Sequence, residues 1–130
     1  MKILVGYSGK NIGQDLLQLA AQHAKAFQGE VIIATSMVGG DKTTREKVIE
    51  AEDNLKEVQD FFKKMQIQCE THLLVRNMTA GEDIVEFAKE QNVDEIIIGV
   101  KSRSKVGKLL FGSTAQFVIL KAHCPVVSVK

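Results

Sequence analysis

Strand and helix signals alternate along the whole chain and predict an α/β fold. The expected architecture is an open, mostly parallel five-stranded sheet with helices on both faces. Two observations carry it. Short β-branched apolar runs recur at residues 2–7 (KILVGY), 30–36 (EVIIATS), 68–75 (QCETHLLV), 95–99 and 125–130. Between them lie longer stretches whose apolar residues repeat every three or four positions.

Each element has its own justification. The run at 2–7 reads as a buried strand and residues 9–13 as a turn. Leu16, Leu17, Ala20, Ala24 and Phe27 then define a helix that Gly29 is expected to stop. After the second strand and the loop Val38-Gly39-Gly40-Asp41, a long helix is expected from Thr43, where Thr43 and Glu46 match a reciprocal cap. Its seam, Val48, Ala51, Leu55, Val58, Phe62 and Met65, is narrow and suits packing on a sheet. Thr79 and Glu82 form a second capping pair before Ile84, Val85 and Ala88. Glu82 and Asp83 are expected to complement that helix's dipole. Ser113 and Gln116 are spaced to cap the last helix, which carries Ala115, Val118, Ile119 and Ala122. Pro125 opens the terminal strand, where its missing N–H is tolerated.

The 130 residues, 45% hydrophobic and 25% charged, suit one globular domain spanning residues 1–130. No apolar run approaches the ~20 residues needed to span a bilayer, and the first residues lack a secretory layout. Cys69 and Cys124 show no metal or redox spacing and read as reduced thiols of a cytoplasmic protein. The net charge of +1 hides an asymmetry. No Asp or Glu follows Glu95, so the last 35 residues carry +6. The first 95 hold eleven cations against sixteen carboxylates, or −5. The positive field therefore centres on the loop after Gly99 and favours anions there. The small total argues against a dedicated nucleic-acid binder.

That loop is the most informative stretch. A strand ends at Gly99, Lys101, Arg103, Lys105 and Lys108 follow, and Gly112-Ser113-Thr114 leads into a helix. Glycines let backbone amides approach an anion, and the positive end of a helix holds it. In an open parallel sheet, ligands bind beyond the carboxyl ends of the strands where the strand order reverses. Strands one and four are the expected neighbours there, so the loops at 8–13 and 99–112 face each other. Other motifs fail. A P-loop needs Gly at Ser102 and Ser or Thr at Leu109. An ATP pyrophosphatase loop departs at Lys10, Ile12 and Gly13. His23, His72 and His123 lie on separate elements and suggest no zinc site.

Gly99, Val100-Lys101, Ser102, the nine residues 103–111 and Gly112-Ser113 follow the spacing Gly, two residues, Gly, nine residues, Gly, Ser or Thr. Only the second glycine is replaced, by Ser102. Together with the closing FGSTAQFVILKAHCPVVSVK, the chain resembles the universal stress protein family over essentially its whole length. The resemblance implies a Rossmann-like fold, similar to the adenine nucleotide alpha hydrolases, with strand order 3-2-1-4-5. It implies an adenine nucleotide ligand, ATP foremost, with Mg allowed alongside it. By that resemblance Gly6, Tyr7, Ser8 and Ser36 border the base and ribose. Ile98, Gly99, Val100, Lys101, Ser102, Arg103 and Ser104 wrap the ribose and phosphates, and Gly112, Ser113 and Thr114 meet the distal phosphates. Ser8 stands where ATP-binding members carry an Asp.

The implied role is a small stress-response protein working as a ligand-dependent regulatory module. It would be a homodimer through its C-terminal strand, with a regulatory protein partner and no membrane partner. Slow or absent turnover is expected, since no general base stands beside the phosphate loop. Ser8 and Ser102 leave open a nucleotide-independent, dimeric interaction module of the same family.

Overall fold

The computed structural model describes residues 1–8, 13–40, 43–100 and 112–130. Five strands alternate with four helices: β1 (Lys2–Gly6), α1 (Gly13–Phe27), β2 (Glu30–Met37), α2 (Arg45–Lys64), β3 (Cys69–Val75), α3 (Ala80–Gln91), β4 (Glu95–Gly99), α4 (Ser113–Lys121) and β5 (Val126–Val129). The strands form one sheet in the order β3-β2-β1-β4-β5, and all four ladders are parallel. The order reverses between β1 and β4, where Gly6 pairs with both Ala34 and Ile98.

Strand alternation divides the core into two layers. Ile3, Val5, Val31, Ile33 and Ile97 point to one face, against Leu16, Leu17 and Ala20 of α1 and Leu55, Val58 and Phe62 of α2. Leu4, Ile32, Ala34, Ile96 and Ile98 point to the other, against Ile84, Val85 and Ala88 of α3 and Ala115 and Val118 of α4. Both layers are apolar because a parallel sheet is covered on both sides. On the α2 seam, Ala51, Leu55, Val58 and Phe62 are buried as expected, while Val48 and Met65 at its ends are half-buried.

Several local expectations are corrected. Thr44, not Thr43, caps α2, accepting from the Lys47 amide at 3.2 Å. The Thr43 hydroxyl oxygen instead accepts from the Gly39 amide at 2.9 Å, which ties down the preceding turn. Gly112 is the N-cap of α4 and Ser113 its first helical residue, with no side-chain cap bond. At the end of α1 the left-handed residue is Gln28, φ 52°. Gly29 follows it and donates to the Ala24 carbonyl at 2.8 Å. Thr79 does cap α3: its hydroxyl oxygen accepts from the Glu82 amide at 3.4 Å, and its O–H donates to the Glu82 carboxylate at 2.7 Å.

Candidate functional site

The carboxyl ends of the strands come together at one edge of the sheet. One bond extends the β1–β2 ladder beyond β1, from the Tyr7 N–H to the Ala34 carbonyl at 2.9 Å. The Tyr7 carbonyl stands where the next rung, from the Ser36 N–H, would end. It accepts instead from the Thr35 hydroxyl at 2.7 Å. In a parallel ladder, a residue's N–H and C=O point to the same neighbour, and alternate residues share that side. Ser36 therefore directs its amide and carbonyl the same way as Ala34, past the last paired residue of β1.

At this strand end lies a cavity of about 330 Å³. Tyr7, Ser8, Thr35, Ser36 and Met37 form its strand side, and Lys47, Glu50, Ala51 and Asn54 of α2 form the facing wall. Its volume lies at the small end of the range for small-molecule pockets. Burial, and then the nearby Glu57 carboxylate, push the Tyr7 phenol above its ordinary value of 10.0, so the ring stays neutral. A neutral hydroxyl-bearing ring, a backbone donor–acceptor edge and a mixed polar helix face suit a flat, polar-edged ligand.

Of the residues singled out from sequence, Tyr7, Ser8 and Ser36 share this cavity. Gly6 precedes Tyr7 on β1 and does not line the cavity, and a Cβ there would meet Ile98 at 3.3 Å on the α3 face. Ile98 and Val100 are buried in the core, so each offers backbone rather than side chain to the edge. Gly99 pairs with Val129, and the Val100 amide donates to the Val129 carbonyl at 2.7 Å. Gly112, Ser113 and Thr114 stand at the start of α4 and do not line the cavity, with Ser113 and Thr114 exposed. Lys101, Ser102, Arg103 and Ser104 lie outside the described residues.

Two features were not foreseen. The wall formed by α2 had no motif to announce it, although Lys47, Ala51 and Asn54 do recur at helical spacing just after β2. Asp83 stands in the first turn of α3, as expected, but is fully buried. Its Oδ2 accepts from the Ser36 hydroxyl at 2.7 Å and its Oδ1 from Arg76 Nε at 2.6 Å. Arg76 Nη1 also donates to both Glu90 carboxylate oxygens, at 2.8 and 2.7 Å. Glu82, beside Asp83 in the first turn, is exposed. His23, on α1, meets Glu95 at 2.7 Å, at the opposite end of β4 from the cavity. Among the described residues no group of three His, Cys, Asp or Glu side chains gathers for a metal, and no helix is long and apolar enough to cross a membrane.

A wholly parallel five-stranded sheet in this order, with the open edge at its reversal, defines a Rossmann-like α/β protein. The chain belongs to the universal stress protein family, whose family model matches residues 1–130. It is similar to a universal stress protein from Archaeoglobus fulgidus, at 36% identity and a TM-score of 0.90, covering 99% of this chain and 97% of that one. A universal stress protein from the same organism, solved in complex with dAMP, is 32% identical with a TM-score of 0.83, covering 99% and 96%. A further universal stress protein, solved in complex with cAMP, is 25% identical with a TM-score of 0.77, covering 99% and 95%.

Proposed function

We propose that this chain is a single-domain, cytoplasmic regulatory protein that binds an adenine nucleotide at the carboxyl edge of β1, β2 and β4. The observation that carries the assignment is the Ser36 peptide edge opening into the cavity beside Tyr7. Its N–H donor and C=O acceptor complement adenine, which offers N1 as acceptor and its exocyclic amine as donor. The dAMP and cAMP complexes of two relatives support the same ligand class.

In this arrangement Tyr7 borders the base and Ser8 supplies one hydroxyl to the ribose. Ser8 lacks the paired acceptors of a carboxylate, so the ribose is held less tightly than an Asp would hold it. Gly99 and the loop through Ser104 carry the ribose and phosphates toward α4. There Gly112, Ser113 and Thr114 leave first-turn amides without a side-chain cap, and such amides suit phosphate oxygens. ATP is the form that uses the whole path. A divalent ion would arrive with the triphosphate, held by phosphate oxygens and water. Binding shifts the protein between states that do and do not engage a protein partner. The second copy pairs along β5, whose apolar residues are half-buried.

Titration with ATP, AMP and Mg²⁺, followed by calorimetry and thermal shift, tests the assignment. Saturable binding with a rise in melting temperature is expected, and no signal at millimolar nucleotide would overturn it. Ser8 favours a second reading, a nucleotide-independent interaction module. Mass spectrometry of material released from the purified protein separates the two, since only the first carries nucleotide through purification.

A further inference from the structure

We propose that Asp83 is a positioning residue for base recognition. Its buried carboxylate clamps Ser36 so that the Ser36 peptide edge stays aligned with the base. The inference rests on the adenine assignment and adds a residue that does not line the cavity. Ser36 shares its strand face with Ile32 and Ala34, which point toward α3, whereas the cavity is walled by α2 on the other face. Its side chain therefore serves as an anchor and its peptide edge serves the ligand. The anchor is the 2.7 Å bond from the Ser36 hydroxyl to Asp83 Oδ2.

The carboxylate is itself held rigidly. Arg76, the first residue after β3, donates through Nε to Asp83 Oδ1 at 2.6 Å and through Nη2 to the Asp83 carbonyl at 3.2 Å. The remaining guanidinium nitrogen is engaged by Glu90, and the group lies 5.6 Å from the Phe87 ring centre. The ladder between β2 and β3 ends at Met37 and Val75. One fully buried carboxylate thus ties together the end of β2, the end of β3 and the first turn of α3. A buried carboxylate demands such partners, and the Ser36 hydroxyl is the one that belongs to a residue bordering the cavity.

The consequence is a base preference. Hypoxanthine reverses adenine's pattern, with a donor at N1 and an acceptor at the 6-position, so a fixed Ser36 edge rejects it. Calorimetric titration of AMP and IMP into wild type, Ser36→Ala, Asp83→Asn and Glu90→Gln reads this out. Wild type is expected to prefer AMP by about tenfold or more, since unpaired polar groups in a site discriminate strongly. Ser36→Ala and Asp83→Asn are expected to cut the preference to about threefold or less, chiefly by losing AMP affinity, while Glu90→Gln keeps it. A purely structural role would weaken both nucleotides equally and leave their ratio unchanged. Hydrogen exchange of the ligand-free protein gives a readout independent of nucleotide: amides at residues 36–38 should exchange faster in Ser36→Ala.

Ser36→Ala leaves the Arg76–Asp83 pair intact, so it remains informative should Asp83→Asn fail to fold. An unchanged AMP:IMP ratio in folded Ser36→Ala, or exchange equal to wild type, overturns the clamp. Wild type that binds neither nucleotide, or both alike, overturns the adenine assignment and with it the base-reading role. Faster exchange in the variant still supports the anchoring bond in that case.

Discussion

The ring of Tyr7 lies so close to the start of α1 that a Cβ on Gly13 would come within 2.7 Å of its Cε1 atom. Gly13 thereby lets the ring lie where it forms part of the cavity. The chain has one tyrosine and no tryptophan, so its tyrosine signals report directly on this site. Saturating AMP should change tyrosine emission, and Gly13→Ala should alter the near-ultraviolet circular dichroism of the free protein while the far-ultraviolet spectrum persists. Emission indifferent to a nucleotide that calorimetry shows to bind would remove Tyr7 from the site.

A second glycine contact is less forgiving. A Cβ on Gly81 would sit 2.9 Å from the Cβ of Phe117 and 3.1 Å from its ring, where α3 packs on α4. Gly81→Ala should destabilise the protein by about 1–3 kcal/mol, the usual cost of overpacking, despite alanine's better helix propensity. Urea denaturation measures it, and a stabilised variant would mean that α4 yields easily.

The two ends of the Arg76 network should differ sharply. Arg76→Ala leaves the buried Asp83 carboxylate without its cation and should cost about 3–5 kcal/mol. Glu90→Gln alters a half-exposed pair and should cost less than about 1 kcal/mol. Equal losses in chemical denaturation would contradict the assignment of Asp83 as the buried centre.

Capping offers a direct contrast. Thr79→Ala removes the hydroxyl that accepts from Glu82 and should cost about 1 kcal/mol. Ser113→Ala should change stability by less than about 0.5 kcal/mol, because Gly112 occupies the cap and Ser113 is exposed. Melting temperatures of the two variants decide it.

Alkaline pH should unfold the chain progressively. Burial, and then the neighbouring Glu70 carboxylate, push the Cys69 thiol from its ordinary 9.0 up to about 12. Burial also raises Tyr7. Above pH 9 the unfolded chain gives up the thiol proton that the folded chain retains, so stability falls as pH rises. The contribution is complete below pH 9 and is lost as pH approaches about 12. Urea midpoints across that window should decline in wild type and decline less in Cys69→Ala.

Element type and order were legible because each strand and helix carries its own apolar period, and that period survives any tertiary arrangement. Glu95–Gly99 matches its expected bounds fully, since a run of three isoleucines closed by glycine has little freedom. Caps were less legible. Thr43 and Thr44 are both competent, and the turn at Gly39 decided between them by taking the Thr43 oxygen. At α4, Ser113 had the right chemistry, but the chain enters its helical conformation one residue earlier. Of the site, the strand-end residues Tyr7, Ser8 and Ser36 came from the family resemblance. The α2 wall did not, because its residues resemble any solvated helix face.

The sequence by itself determined the alternating architecture and the separation of charge toward the C-terminal third. These are properties of local periodicity and composition. Tertiary structure alone decided that Asp83 is buried, that Arg76 neutralises it and that the Ser36 peptide edge faces a cavity. Each depends on groups that meet only when strands, helices and turns are packed. A carboxylate's environment, unlike a strand's period, is set by what surrounds it in space.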